Sequence, residues 1–454
     1  MNDIEVPMSA MLADSRSEEA ITTVDAPSPE RKRVVIVGGG FAGLAAAHAL
    51  RHADTEVFLI DRRNHHIFQP LLYQVAMGVL SPADIAAPIR QLEVKQQNLS
   101  VILAEVTGVD VASHIIEVSS SSAGVRKIAF DYLVVATGMR PSYFGHDEFA
   151  RYAPALKSLG DAETIRAKIL DAFEVAATTE DGDERERQMT FVLVGAGPTG
   201  VELAASLAQM VRVTLSGNFR QIDPSKSTII LLDAGNRVLP TFAESVSRKV
   251  TRRLEKLGVK VLTGIKVETV DEYGVIAGGT RIPSATVLWT AGVAASPVPK
   301  MLGGKTDRSG RALVDPFLNV EDVPGVFVIG DAASVTQNEH PVPGVAQAAI
   351  QEGRYVGRLI ASNLKGRKVR RPFRYFNKGN MAVVGKNYAV LERGGLRTSG
   401  FLTWLVWAFV HILSLPQLQN RLRVQRQWLW TYFTGQRGSR LIPEPPRTPG
   451  AETR

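Results

Sequence analysis

The 454-residue chain contains no cysteine. It therefore cannot form a disulfide, hold an iron–sulfur cluster or a thiolate zinc site, or use a thiol nucleophile. Any redox chemistry requires an organic cofactor or a metal held by oxygen and nitrogen ligands, and we identify no candidate metal site. Lipoamide, glutathione and mercuric reductases and sulfide:quinone oxidoreductases all need reactive thiols, so the sequence excludes them.

Long hydrophobic runs are also missing. No stretch reaches the roughly 20 apolar residues of a membrane-spanning helix, so no polar path for pumping protons across a bilayer is expected. The first thirty residues hold seven acidic residues and no apolar stretch of signal-peptide length, which argues against a secretory signal and a transit peptide. Residues 1–30 are predicted to be a disordered extension.

Negative charge is scarce at one end of the chain. Residues 365–454 carry 17 Lys and Arg against 3 Asp and Glu, whereas residues 1–364 carry 36 against 42. The net charge of +8 therefore belongs to the C-terminal part, and this asymmetry concerns binding partners more than fold.

What is present begins with a dinucleotide-binding pattern. The β-branched run VVIV at 34–37 is followed by GGGFAG, an alanine-rich helical stretch and a second apolar run that ends in Asp61. In this pattern Gly38 permits a sharp turn, Gly40 lets the backbone approach a pyrophosphate, and Gly43 lets helix and strand pack closely. The helix N-terminus supplies N–H groups to the phosphates, and Asp61 would meet a ribose hydroxyl.

The same order recurs at 191–233, where FVLV, GAGPTG and a helical stretch lead to a strand that ends in Asp233. Gly195, Gly197 and Gly200 take the three glycine roles. A carboxylate at Asp233 would bind a free 2′-hydroxyl and repel a 2′-phosphate, which predicts a preference for NADH over NADPH. The alternative is that Asp233 only caps a turn, and the nearby Arg237 complicates the local charge.

These repeats predict an α/β fold with two Rossmann-like dinucleotide-binding domains. The strand GVFVIGDAA at 325–333 looks like a return to the first domain, so the second unit is predicted to be inserted in the first. The expected order is an FAD-binding domain (31–157 and 306–375) interrupted by an NADH-binding domain (158–305), followed by a C-terminal membrane-surface region at 376–454.

Two dinucleotide sites imply that electrons pass between two dinucleotides, and the natural pair is NAD(P)H and FAD. Here the sequence resembles the two-dinucleotide-binding-domain flavoproteins and, within them, the type II NADH dehydrogenases, from about residue 33 to 441. The most specific pieces are HHIFQPLLYQVAMGVLSPADIAAPIR (65–90), GPTGVELA (197–204), GVFVIGDAA, AQAAIQEG (346–353) and the aromatic C-terminal segment.

The resemblance implies binding residues for both dinucleotides. Asp331 should bind the ribityl side of a non-covalent FAD, and Lys378 should reach the flavin ring, although Lys378 also lies in a run of seven basic residues that suits a solvated face. The FAD set is Gly38, Gly39, Gly40, Phe41, Ala42, Gly43, Asp61, Arg62, Val106, Thr137, Gly138, Asp331, Ala346, Gln347 and Lys378. The NADH set is Gly195, Gly197, Pro198, Thr199, Gly200, Glu202, Asp233 and Gly292.

The resemblance also implies catalytic residues, namely Glu174, Gln347, Gln351 and Lys378. Gln347 and Gln351 are four apart on a predicted helix, so their amides share a face and suit a neutral quinone carbonyl, while a plain polar stripe is the alternative. Glu174 is implied as a proton-handling group, or is one more helical carboxylate. Glu202 would touch the nicotinamide end of NADH or anchor a lysine.

Aromatic residues concentrate near the C-terminus, where Trp404, Trp407, Trp428 and Trp430 accompany Tyr432 and Phe433. The run at 401–415 is about 22 Å long as a helix, too short to span a bilayer. In the next segment an apolar arc is predicted to lie on an anionic lipid surface, with a homodimer interface as the alternative. The predicted arc consists of Leu418, Leu422, Trp428, Leu429, Tyr432 and Phe433.

These features together favour a peripheral flavoenzyme that takes hydride from NADH onto FAD and reduces a membrane quinone without pumping protons. The resemblance implies a location on the cytoplasmic face of the inner (plasma) membrane, and no nucleic-acid partner. Two alternatives remain. One is a soluble NADH:ferredoxin reductase or NADH oxidase, and the other is a flavin-bearing binding protein similar to apoptosis-inducing factor, whose basic surface would serve a partner.

Overall fold

The computed structural model describes residues 22–25, 31–121, 124–367, 369 and 371–442. Most of the predicted N-terminal extension lies outside these residues. Its residues 22–25 depart from the prediction of disorder, because Thr22–Asp25 form a short strand that pairs in parallel with Gly124–Ala129.

The first domain contains a five-stranded parallel sheet. Its order across the sheet is Val326–Val328, Tyr132–Val135, Arg33–Val37, Glu56–Asp61 and Leu99–Leu103. The strand Arg33–Val37 is buried along its whole length, as expected for an apolar strand covered on both faces. Because Val326–Val328 pairs with Tyr132–Val135, the chain returns to this sheet after the second domain, and the predicted insertion matches the topology.

The second domain repeats the arrangement with four parallel strands, ordered Val259–Thr263, Thr228–Asp233, Thr190–Val194 and Thr286–Trp289. Between the domains the chain crosses as Met139–Pro141 and returns as Val293–Ala295, and the two crossings pair antiparallel. Tyr143 packs with Trp289 in the second domain. The boundaries of the second domain therefore lie nearer residues 142 and 296 than the predicted 158 and 305. The sequence does not mark them, because an extended strand that crosses between domains carries no motif.

Smaller sheets and helices complete the molecule. Three further sheets of three or more strands lie among the described residues, and they are antiparallel apart from the Thr22–Asp25 pairing. The first contains Glu105–Asp110, Ile115–Ser120 and Gly124–Ala129, and the second contains Val267–Asp271, Gly274–Ala277 and Thr280–Pro283. The third contains Asn380–Val383, Ala389–Arg393 and Leu396–Gly400. The α-helices are Phe41–Ala49, Leu72–Ala76, Pro82–Ile85, Ile89–Leu92, Leu159–Thr178, Gly182–Gln188, Pro198–Gln209, Glu244–Lys256, Val298–Met301, Ala346–Leu364, Phe401–Ser414 and Leu418–Thr434.

The C-terminal region is packed onto the second domain and is not a separate appendage. Trp407, Leu415 and Val424 belong to the same buried cluster as the strand Thr190–Val194 and the helix Pro198–Gln209. No helix among the described residues has the length and apolar character needed to cross a membrane.

Candidate functional site: two phosphate loops and a buried acid

The two glycine-rich loops have matching geometry. Gly38 and Gly195 have φ of 107° and 105°, and a side chain at either would meet backbone atoms within 2.6 Å. A Cβ on Gly43 would lie 1.8 Å from the carbonyl oxygen of Gly38, and one on Gly200 would lie 1.9 Å from that of Gly195. Gly43 and Gly200 accept only glycine because the helix starts directly against its own loop. Gly38 and Gly195 do so because their φ is positive and a Cβ would meet the backbone that follows a neighbouring strand.

The middle glycine of each loop differs from the other two glycines because the space beside it is open. Gly40 and Gly197 cap the two helices, and no atom lies within 4 Å of where a Cβ would stand. Free space in front of unpaired helix N–H groups is the cradle that a pyrophosphate fills. Both loops therefore fit a dinucleotide, and Pro198 and Thr199, exposed at the helix start, lie at the mouth of the second.

Each loop is held by the carboxylate predicted to bind a ribose. Asp61 accepts the N–H of Gly39 at 2.6 Å and that of Arg63 at 2.8 Å. Asp233 accepts the N–H of Ala196 at 2.5 Å and that of Gly235 at 2.7 Å. The guanidinium of Arg237 instead donates to the Phe242 and Pro240 carbonyl oxygens and to Ser247 Oγ, so it does not neutralise Asp233.

The first loop is supported from behind by aromatic rings. His66 is buried and its Nδ1 lies 3.1 Å from the Gly39 carbonyl oxygen. Burial lowers the pKa of His66, so the ring is neutral and donates to that carbonyl. Phe41, the first residue of the helix, packs edge-on against His66 and Phe68.

The C-terminal edge of the first sheet adds an acid–base pair. Asp331 follows the strand Val326–Val328 in a tight turn, and Lys157 faces it. Burial raises the pKa of Asp331, while the charges of Lys157 and Arg311 oppose the rise. Burial lowers the pKa of Lys157. A lysine beside this carboxylate had no motif to reveal it, because the pair meets across 174 residues of chain.

The helix Ala346–Leu364 begins beside this turn. Its Glu352 is buried and accepts the N–H of Gly330 at 2.5 Å, and burial raises the pKa of Glu352 to about 7. The helix lies so close to Phe41–Ala49 that a Cβ on Gly353 would stand 2.1 Å from the Ala42 carbonyl oxygen. This crossing fixes the first phosphate loop relative to Asp331.

The two glutamines bond to the chain segment beside their helix, which leaves an amide hydrogen available on Gln347 but none on Gln351. Gln347 donates to the Gly379 carbonyl and accepts the N–H of Lys378, at 3.0 and 2.9 Å. Gln351 donates to the carbonyls of Gln347 and Phe376 and accepts the Phe376 N–H, which occupies both of its amide hydrogens. They clamp the segment Phe376–Gly379, and Lys378 remains exposed within it.

The two predicted glutamates differ in their surroundings. Glu174 is exposed on the helix Leu159–Thr178, and its carboxylate has no hydrogen bond or ion pair with a described residue. Glu202 lies on the helix Pro198–Gln209, where burial raises its pKa to about 8 against a weak bond from the Val383 N–H at 3.5 Å. Of these two glutamates, Glu202 is therefore the one suited to carrying a proton near neutral pH.

The remaining predicted contacts are dispersed. Thr137 accepts a 2.6 Å bond from Ser296, and Ser296 N–H reaches the Gly138 carbonyl, which joins the two crossings. Arg62 pairs loosely with Glu105 at 3.8 Å on the surface, and Val106 is buried in the antiparallel sheet. Gly292 has φ of 74° and lies under the exposed ring of Phe144, 2.4 Å from where its Cβ would be.

The four tryptophans of the C-terminal region differ in exposure, since Trp404 and Trp428 are half-buried and Trp430 is 59% exposed. Trp407 is buried and stacks on Trp428, and Trp404 stacks on Tyr432. Trp428 and Tyr432 therefore face the body, which corrects their assignment to a lipid-facing arc. The arc's other members, Leu418, Leu422, Leu429 and Phe433, are exposed.

Comparison with known proteins gives the family of the chain. A fold with two phosphate loops and paired crossings defines a two-dinucleotide oxidoreductase, and residues 32–353 match the pyridine nucleotide-disulphide oxidoreductase family. The type II NADH:quinone oxidoreductases Ndh and NdhA of Mycobacterium tuberculosis (strain ATCC 25618 / H37Rv) are each 43% identical, over 92% and 91% of this chain and 91% and 89% of their own. The chain belongs to the type II NADH:quinone oxidoreductase family, whose members are oxidoreductases.

More distant proteins share the architecture. An internal alternative NAD(P)H-ubiquinone oxidoreductase of Arabidopsis thaliana is 28% identical over 91% of this chain and 86% of its own. The structure of NDH2 from Plasmodium falciparum in complex with NADH has a TM-score of 0.82 at 20% identity, covering 91% of this chain and all of that one. At this identity the likeness concerns the fold alone.

Proposed function

We propose that the chain binds FAD non-covalently at the first loop and NADH at the second, and that it reduces a membrane quinone without pumping protons. The observation that carries the proposal is the pair of equivalent loops, each with free space at its middle glycine and a carboxylate behind it. When bound, FAD accepts two electrons as hydride from NADH and passes them to quinone.

The chain's own residues have separable tasks. The N–H groups after Gly40 hold the pyrophosphate, and Asp331 holds the polyol. Asp233, unneutralised by Arg237, selects the nucleotide with a free 2′-hydroxyl. Gln347 keeps one amide hydrogen beyond its bond to Gly379, so it is the glutamine able to donate to a quinone carbonyl while Gln351 holds the segment that carries Lys378.

Glu202 supplies a proton. Reduction of a quinone consumes two protons, and a carboxyl with a pKa raised to about 8 is protonated at neutral pH. It retains some solvent contact, so it can be reprotonated after it has given its proton away. In this role it replaces the exposed Glu174.

The test separates the two halves of the reaction. Anaerobic mixing with NADH should bleach the flavin, and a second mixing with a short-chain quinone should restore it. Glu202→Gln should keep the first phase and slow the second, while Glu174→Gln should change neither. A wild-type flavin that NADH bleaches and quinone does not restore would reject the quinone reaction.

Attachment to the cytoplasmic face of the membrane is proposed from a second surface. The helix Phe401–Ser414 exposes one continuous apolar face made of Phe401, Leu402, Leu405, Val406, Phe409, Val410 and Leu413. Arg423 and Arg426 lie exposed on the following helix. Apolar burial and the attraction of basic residues to anionic headgroups act together, and the second is weakened by salt.

Liposome flotation tests this surface. Leu402 and Phe409 are 75% and 64% exposed, and replacing both by Ser should weaken partitioning roughly a hundredfold, because about 3 kcal/mol of burial is lost. Val94 and Tyr273, 76% and 61% exposed on the body, give the matched control. Equal flotation of the two double variants would reject the surface, and binding that ignores anionic lipid would reject the electrostatic part.

A further inference from the structure

A hydrogen-bonded chain links the last helix to a buried phenol. Trp428 Nε1–H donates to Gln74 Oε1 at 2.7 Å, and Gln74 Nε2–H donates to Tyr73 Oη at 2.9 Å. Gln74 and Tyr73 are only 6% and 5% exposed, in the short helix Leu72–Ala76. Because the phenol oxygen accepts from Gln74, its own proton is left to bond elsewhere.

The helix that carries Tyr73 packs against Pro198–Gln209, the helix that carries Glu202. Burial raises the pKa of Tyr73 well above its usual value, and the negative charge of Glu202 is the next largest cause. The positive charge of Arg437 acts in the opposite direction. The geometric link is the packing of the two helices, and the charges of Glu202 and Arg437 both act on the Tyr73 phenol.

Arg437 joins the two helices. It is 5% exposed, and its guanidinium donates to the Met77 carbonyl at 2.9 Å and to the Ser206 carbonyl at 3.0 Å. Met77 caps the helix of Tyr73, and Ser206 lies one turn after Glu202. Burial lowers the pKa of Arg437 to about 9, so it is still a cation at neutral pH.

We propose that Tyr73 is a positioning residue for Glu202, held by the Trp428–Gln74 chain and by Arg437 so that its hydroxyl donates to the Glu202 carboxylate once that group has given up its proton. The inference rests on the proposed role of Glu202. No covalent bond changes: the phenol keeps its proton and only redirects its hydrogen bond.

The physical reason is the cost of a buried charge. A carboxylate that ionises away from water is strongly disfavoured unless a donor turns toward it. A donor that bonds only the ionised form makes the acid stronger. The C-terminal region thereby acts on the proton step, because Trp428 and Arg437 both belong to the part of the chain that follows residue 400.

The experiment uses full-length, flavin-loaded enzyme in detergent with a water-soluble quinone. Tyr73→Phe keeps the ring and removes the hydroxyl. Flavin reduction by NADH should stay within about twofold, and reoxidation by quinone should slow about tenfold, the loss expected for one hydrogen bond to a charged group. The alkaline fall of reoxidation, assigned to Glu202, should move to higher pH, because Glu202 becomes a weaker acid. A purely structural role of Tyr73 would lower the reoxidation rate without moving the pH at which this alkaline fall occurs.

The chain itself is tested by Trp428→Phe, which should slow reoxidation in the same direction and add nothing further in a Tyr73→Phe background. Trp404→Phe is the matched control, since Trp404 also stacks in this interface but its indole N–H has no hydrogen-bond partner among the described residues. Independent, additive losses from Trp428→Phe and Tyr73→Phe would overturn the proposed chain.

The remaining outcomes are distinct. If Glu202→Gln slows reoxidation but Tyr73→Phe changes neither the reoxidation rate nor the pH of its alkaline fall, the inference about Tyr73 is wrong and the function of the site stands. If Glu202→Gln has no effect on reoxidation, the proton role of Glu202 fails first. If Tyr73→Phe does not retain flavin, the pH of the alkaline fall in the reoxidation rate of Trp428→Phe decides. A shift of this fall to higher pH supports the proposal, and an unchanged pH overturns it.

Discussion

Asp233 Oδ2 accepts the backbone N–H of Ala196 at 2.5 Å, so the acid that we propose to select the nucleotide also fixes the loop that we propose to bind its phosphates. Asp233→Asn removes the charge that repels a 2′-phosphate, and its single amide oxygen keeps one of the two N–H bonds that the carboxylate accepts from Ala196 and Gly235. The ratio of kcat/KM for NADH to that for NADPH should fall roughly tenfold, mostly through a gain with NADPH.

The matched control is Asp61→Asn, the equivalent position in the first loop. It should leave the nucleotide ratio unchanged and weaken flavin retention. Equal kcat/KM for NADH and NADPH in the wild type would show that Asp233 does not select between them.

The crossing of two helices at Gly353 should be intolerant of any side chain. In Gly353→Ala the new methyl group would lie 2.1 Å from the Ala42 carbonyl oxygen, so the helices must separate. A loss of about 1–3 kcal/mol in the free energy of unfolding is expected, together with weaker flavin binding, because Ala42 follows the first loop. Gly182→Ala, at an open helix start, is the control for the substitution. Comparable unfolding temperatures for both variants would contradict the tight crossing.

The loops were predictable from the sequence because each of their requirements is local. A positive φ at Gly38 and the contact between Gly43 and Gly38 arise within six residues, and the return of Val326–Val328 to the first sheet carries its own strand pattern. The sheet architecture followed from the same pattern, whereas the hydrogen bonds of Asp61 and Asp233 to their loops were not predicted.

The rest depends on contacts between remote segments. Trp428 meets Gln74 across 354 residues, and Arg437 meets Met77 across 360, so neither spacing nor composition marks them. The apolar arc placed Trp428 outside because periodicity reports a face and not what covers it. The same limit applies to Glu174 and Glu202, two helical carboxylates that the sequence does not distinguish and burial does.

The stability of the fold should report the protonation of Glu202. The pKa of Glu202 is raised in the folded state to about 8 from an ordinary 4.5. The contribution of its protonation to the free energy of unfolding is therefore fully present below pH 4.5 and is lost as pH rises toward 8. Glu202→Gln does not titrate, so its melting temperature relative to the wild type should increase between pH 5 and 8 and then level off. A pH-independent difference for Glu202→Gln would contradict the raised pKa.

The clamp made by Gln351 should matter for quinone more than for NADH. Gln351→Ala removes two hydrogen bonds to Phe376 and frees the segment that carries Lys378. Quinone reduction should fall about tenfold, as expected when one or two hydrogen bonds are lost, while bleaching of the flavin by NADH changes little. Gln221→Ala, exposed on the surface, serves as the control. An equal loss in both half-reactions would make the clamp structural only.

The most direct test of the whole account is steady-state NADH oxidation by membrane-free protein with a short-chain quinone, compared with ferricyanide alone and with oxygen alone. An NADH:quinone oxidoreductase should turn over rapidly with quinone, form quinol in a one-to-one ratio with the NADH consumed, and show little activity with oxygen. A soluble oxidase would consume NADH as fast with oxygen as with quinone, and a flavin-bearing binding protein would turn over slowly with every acceptor. Either of those two results would contradict the account.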